Sequence, residues 1–137
     1  MNISQTVFFI LLFLPYKLES NNKNIIKKIE EVKPIVVTAT TYKANEGETD
    51  STPNITASGF KIDMKNPKRH KLIAVSRDLK RKMKYGSKVY VKGTGKHDGV
   101  YVVRDLMNKR YKKRIDILIG HNDNQRSYSK VKIYKID

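Results

Sequence analysis

Residues Arg114 to Gly120 read RIDILIG, and this stretch decides how the rest of the chain is interpreted. Ile115, Ile117 and Ile119 recur with a period of two, so in an extended chain they share one face, while Asp116 and Leu118 share the other. Three branched side chains on one face predict a strand whose isoleucines enter a core. Asp116 then projects from the opposite face. A carboxylate set among isoleucines is unfavourable unless it is hydrogen-bonded or put to use. The readings stay open at this level: an Asp exposed on a solvent face, one paired with Arg114 or a nearby Lys, or an Asp that lines a cleft.

Working outward, the same pattern recurs. Gly99 to Leu106 (GVYVVRDL) is a strand ending in a second carboxylate, Asp105, beside Arg104. Lys88 to Lys92 (KVYVK) alternates, Leu72 to Val75 is a short apolar strand, and Ile35 to Tyr42 (IVVTATTY) is dense in β-branched residues. Lys130 to Ile136 (KVKIYKI) closes the chain. Lys43 to Pro53 and Gly93 to Gly99 (GTGKHDG) read as loop and turn, Ile55 to Ser58 leads into a turn at Gly59, and Arg77 to Lys84 has room for one or two helical turns. No long amphipathic helix follows residue 34, and no internal repeat stands out. Short strands separated by turn signals predict an all-β barrel or sandwich with one or two short helices.

The two ends differ from this body. Val7 to Leu14 (VFFILLFL) has the length of a signal-peptide apolar region and is stopped by Pro15, with Ser20 as a cleavage point. It is short for a bilayer-spanning helix. Residues 1–20 are therefore read as a signal peptide or membrane anchor, 21–34 (NNKNIIKKIEEVKP) as a polar linker with loose helical spacing, and 35–137 as one domain. Export to the periplasm, cell envelope or exterior is the expectation.

The chain has 137 residues, 29 Lys+Arg against 13 Asp+Glu, and a net charge of +16. That length carries one modest core, not a nucleotide-binding domain with a second lobe. The charge favours anionic partners, or simply solubility. With no cysteine, disulfides, Cys-ligated zinc, iron–sulfur clusters and a lipoprotein anchor are excluded. All five Glu lie at or before Glu48, and every later acid is Asp. His70, His97 and His121 lack metal-ligand spacing and read as surface residues, so neither metal nor cofactor is expected. The basic runs Lys65 to Lys71 and Lys109 to Arg114 read as solvated loops that attract anionic material. A nucleic-acid patch is the alternative.

Ten residues separate Asp105 from Asp116 (DLMNKRYKKRID). If both line one cleft, their like charges disfavour double ionisation, and one carboxyl can keep its proton as a general acid. Around this pair the chain carries Thr38-Ala39-Thr40-Thr41-Tyr42, Thr56-Ala57-Ser58-Gly59, Ile73-Ala74-Val75 and Tyr85-Gly86-Ser87-Lys88-Val89-Tyr90-Val91, in that order. In order and spacing these fragments resemble the 3D (three-aspartate) domain family over roughly Val36 to Gly120. The resemblance implies a six-stranded double-psi β-barrel, the fold shared with MltA-type transglycosylases and RlpA-like domains. It also implies a murein lytic transglycosylase that cleaves between N-acetylmuramic acid and N-acetylglucosamine. By motif position Asp116 is its acid/base and Asp105 the neighbouring carboxylate, with Thr38, Tyr42 and Thr56 near the same groove. Ser76 stands where the family has its first Asp, and is expected at the groove, while Asp78 follows two positions later as the third carboxylate. Leu106-Met107-Asn108 replaces the family's Thr-Gly-Gly. The expected partner is the glycan of peptidoglycan, with anionic wall polymers beside it and no nucleic acid, and the expected state is a monomer. A glycan-binding barrel without activity is the second reading.

Overall fold

The computed structural model describes residues 19–45 and 52–137. Six strands form: β1 (Ile35–Lys43), β2 (Leu72–Val75), β3 (Lys88–Lys92), β4 (Gly99–Leu106), β5 (Arg114–Ile119) and β6 (Ser127–Lys135). They close into a barrel in the order β1-β5-β2-β4-β3-β6. Two contacts are parallel, β1 with β5 and β2 with β4, and the other four are antiparallel. Consequently β1 and β2 run antiparallel with β5 between them, and β4 and β5 run antiparallel with β2 between them. Each arrangement is a ψ unit, and the two interlock as a double-psi barrel. Exchanging the first three strands for the last three reproduces the same pairings, so the topology has a twofold relation centred between β2 and β5.

The interior follows from alternation. Val37 and Ala39, Ile73 and Val75, Val89 and Val91, Tyr101 and Val103, Ile115, Ile117 and Ile119, and Val131 and Ile133 all point inward. A small barrel has no room for a pore, and short branched side chains fill it. Each isoleucine so buried contributes about 1.5–3 kcal/mol.

The outer face of β1, β5, β2 and β4 is also covered. Tyr42, Leu72, Ala74 and Leu118 on that face pack with Ala44, Ile62 and Met107, and with Phe60, Met64 and Tyr111 at the margin. The connection from β1 to β2 and the loop from β4 to β5 supply this cover. They leave one part of the face open, and the candidate site lies there.

Several expectations shift. β6 begins at Ser127, before Lys130, because Ser127 and Tyr128 pair with Thr40 and Ala39 across a bulge in the β1–β6 register. Lys130 sits at φ 54°, in the left-handed region, which interrupts the period-two pattern there. Ile55 makes only an isolated bridge to Lys61, since Gly59 at φ 84° turns the chain between them. The helical turns are short 3-10 segments at Pro67–His70, Arg77–Leu79 and Gly95–His97.

The chain divides into two units, Met1–Lys33 and Pro34–Asp137. In the first, residues 19–31 are helical where a polar linker was expected. Ile25, Ile29 and Val32 recur at helical spacing, and Ile26 is 54% exposed. The signal or anchor segment lies outside the described residues up to position 18. Among the described residues no helix is long and apolar enough to cross a membrane.

Candidate active cleft

Strand register assembles the site. Ala74 on β2 pairs with Asp105 on β4 and with Asp116 on β5, and Asp116 pairs in turn with Thr40 on β1. Thr40, Asp116, Ala74 and Asp105 thus form one row across four adjacent strands, all on the outer face. With strands spaced at ordinary sheet distance, the two aspartate Cα atoms lie roughly 10 Å apart. Ala74 between them is 4% exposed, and its methyl group leaves the floor low. The twofold relation of the barrel exchanges Ala74 with Asp116 and Thr40 with Asp105, so the row straddles the axis.

Above this floor opens a cleft of about 610 Å³, lined by Tyr42, Ala57, Ala74, Arg77, Asp105, Met107, Asn108, Arg110, Tyr111 and Asp116 among others. Both carboxylates are half-buried. Asp105 is held by three neutral donors. The Tyr42 hydroxyl donates to Oδ2 at 3.1 Å, and the backbone N–H groups of Ala57 and Leu106 donate to Oδ1, each at 2.9 Å. The Thr40 hydroxyl donates to Asp116 Oδ1 at 3.0 Å. Tyr42 senses both acids. Its own burial pushes its hydroxyl well above the ordinary tyrosine range, and the charge of Asp105, the hydrogen bond to it and the charge of Asp116 add to that shift.

One wall is basic. Arg77 Nε donates to the Met107 carbonyl at 3.4 Å, and Arg110 Nη2 donates to the Tyr111 hydroxyl at 2.6 Å. The guanidinium groups of Arg110 and Arg114 each lie 4.7 Å from the Tyr111 ring centre, which steadies that ring at the cleft rim. An acidic floor thus faces a basic wall across the cleft.

The residues singled out from sequence fall into two groups. Asp105, Asp116 and Tyr42 line the cleft. Thr38 shares the outer face of β1 with Thr40 and Tyr42 but pairs with Arg114 one row away, and it does not line the cleft. Thr56 is buried. Its hydroxyl accepts from the Phe60 N–H at 3.1 Å and meets the Ser58 hydroxyl at 3.0 Å, closing the turn that presents Ala57 N–H to Asp105. Ser76 is fully buried, and its hydroxyl accepts from Arg114 N–H at 3.0 Å.

Asp78 is not brought to the cleft. Its carboxylate accepts from Lys113 N–H at 2.9 Å, where Lys113 holds φ 44°. Burial pushes this carboxyl up, but the Ser76 hydroxyl and the Lys113 N–H outweigh it and hold it below the usual aspartate range. Ser76 and Asp78 together anchor the end of the β4–β5 loop. Asp78 is exposed and stands in the 3-10 segment Arg77–Leu79, three residues past the end of β2 at Val75, so it does not share the strand row.

Thr40, Ala74, Ala57, Arg77 and Arg110 belong to the site although the sequence did not single them out. Alternation in Thr38-Ala39-Thr40-Thr41-Tyr42 puts Thr40 on the face of Tyr42, but only the parallel register with β5 sets it against Asp116. Among the described residues no group of three or more His, Asp or Glu could hold a metal ion. His70 Nε2 accepts from Asp63 N–H at 2.8 Å, and His121 Nε2 is hydrogen-bonded with the Met64 carbonyl at 2.9 Å, so both tie down the β1–β2 connection. The chain matches no family model, no curated protein and no solved structure.

Proposed function

We propose that the protein is an exported, murein-directed lytic transglycosylase whose acid/base is Asp116. One observation carries this reading: two half-buried carboxylates, Asp105 and Asp116, flank Ala74 on one open face and line a single cleft. The resemblance of the surrounding motifs to the 3D family supports it, as does the double-psi topology. The glycan of peptidoglycan is the substrate, and neighbouring anionic wall polymers are attracted by the net charge of +16.

The chemistry needs one group acting twice. Protonated Asp116 donates its proton to the glycosidic oxygen as the bond to C1 of N-acetylmuramic acid breaks. The resulting carboxylate then accepts the proton of the sugar's own C6 hydroxyl as that oxygen bonds to C1. The product is a 1,6-anhydro ring, and Asp116 ends protonated as it began. No water is consumed, in contrast to hydrolases that use two carboxylates. Thr40 orients Asp116. Asp105, fixed by three donors, holds the sugar and disfavours a second negative charge in the cleft.

The fixing of Asp105 by three donors, with acceptor capacity left on Oδ2, also favours a second reading, a barrel that binds glycan in the same cleft without cutting it. Digestion of purified murein followed by mass spectrometry separates the two. Wild-type protein should release 1,6-anhydro muropeptides, and Asp116→Asn should release none while its circular dichroism is unchanged. Near-wild-type release by Asp116→Asn removes Asp116 from the role. Murein binding with no release by the wild type leaves the binding reading.

A further inference from the structure

A second concavity, of about 390 Å³, lies beyond the far end of β5 from Asp116. Three separate loops converge on it. Lys68 and Lys71 come from the turn before β2, Lys96 and His97 from the turn between β3 and β4, and Asp123 from the turn after β5. The single carboxylate is already committed: Asp123 Oδ2 accepts from Gly120 N–H at 2.9 Å and meets Lys68 Nζ at 3.5 Å. Among the described residues, neither Lys71 nor Lys96 has a carboxylate within ion-pair distance. His97 Nε2 is shielded from solvent and is the one such side-chain atom without a hydrogen-bond partner among the described residues.

The pocket's frame is fixed. Tyr101, 3% exposed, donates its hydroxyl to the His97 carbonyl at 2.7 Å and so holds the turn that carries Lys96 and His97. Lys71 lies over the Tyr101 ring at 5.3 Å. The convergence of these cations is therefore built into the barrel's end.

We propose that this pocket binds a phosphate group carried on a polyol, as a monoester or as a diester within a chain. Ammonium groups approaching from different loops match a tetrahedral oxyanion, which accepts bonds from several directions. A planar carboxylate is better met by the fork of an arginine, and no arginine lines the pocket. His97 stands in the pocket wall, so its ring reports on whether the pocket is filled. Nucleic acid fits less well, because base recognition uses exposed aromatic faces. The one tyrosine lining this pocket is buried, with a lysine over its ring. The site is separate from the carboxylate cleft and stands whether or not that cleft is catalytic.

The test follows the His97 ring nitrogens by NMR in the full chain during titration with glycerol phosphate, a glycerol-phosphate oligomer, inorganic phosphate, and chloride at matched ionic strength. Saturable shifts are expected with both glycerol compounds and none with chloride. Lys71→Gln combined with Lys96→Gln should weaken binding about tenfold, as expected for removing two unpaired charges. Both positions are exposed, so thermal unfolding of the double variant should match the wild type. The proposal is overturned if chloride reproduces the shifts or if the double variant binds as tightly as the wild type. Binding of inorganic phosphate alone also overturns it, and so does tighter binding at His97 of an oligonucleotide with the same number of phosphates.

Discussion

Tyr42→Phe tests whether the cleft is organised as its geometry implies. The substitution keeps the ring, which packs with Leu72, Ala74 and Leu118, so no cavity opens. It removes one hydrogen bond, from the hydroxyl to Asp105 Oδ2 at 3.1 Å. A hydrogen bond to a charged group contributes about 1.5–3 kcal/mol. Here the lower end applies, because the cleft is open to water and Oδ1 keeps both backbone donors. A loss of about 1.5 kcal/mol in a barrel of this size lowers Tm by roughly 6–12 °C. Urea unfolding at neutral pH gives the free energy, and a double-mutant cycle with Asp105→Asn isolates the pair. The coupling should be about 1 kcal/mol or more. Ultraviolet titration adds a second readout: in Asp105→Asn the Tyr42 hydroxyl should ionise at lower pH than in the wild type, since Asp105 contributes both charge and a hydrogen bond to its upward shift. Burial alone still raises it. Stability within about 0.5 kcal/mol of wild type, with additive double-mutant behaviour, would show that Tyr42 does not hold Asp105 and would refute the reasoning.

Thr40→Val keeps the β-branched shape that suits β1 and removes the donor to Asp116. It should cost about 1 kcal/mol in urea unfolding, and under the proposed function it should lower murein turnover more than substrate binding. Alkaline pH should destabilise the barrel through its buried tyrosines. Burial, then the charge of Asp98, pushes Tyr101 up to about 12, and Tyr42 is raised as well. A raised folded value means the stabilisation is complete below the unfolded tyrosine value, about 10, and is lost as pH climbs through the folded one. Tm measured from pH 9 to 12 should fall, and Tyr101→Phe should fall less steeply over the same range. An equal slope would show that Tyr101 does not ionise in the unfolding transition.

Much of the barrel is written in short-range pattern. The alternation of Ile115, Ile117 and Ile119 fixes which face of β5 enters the core, and with it the outward direction of Asp116. β2, β3 and β4 occupy the very residues whose pattern marks them, because each is bounded by a turn or a charged residue. β6 extends earlier than its pattern suggests, since a bulge opposite Val37 and Ala39 puts two unlike stretches in one strand. The helix at residues 19–31 competes only weakly in sequence, its apolar spacing being diluted by lysine and glutamate.

Period-two alternation is local, so the chain's own sequence determined that Asp116 stands opposite the isoleucines of β5. Asp105 is in phase with the inward Tyr101 and Val103, and only the register shift that pairs Ile73 with Val103 but Ala74 with Asp105 turns it to the outside. Which side chains meet depends on register between strands far apart in the chain, and no local signal carries that. Only the closed barrel, by setting Ala74 between the two acids and Thr40 beside Asp116, decided that the pair lines one cleft. The same closure left Asp78 tied to Lys113 on another part of the surface, because a side chain's partners are chosen by which strands pair and not by the type of residue alone.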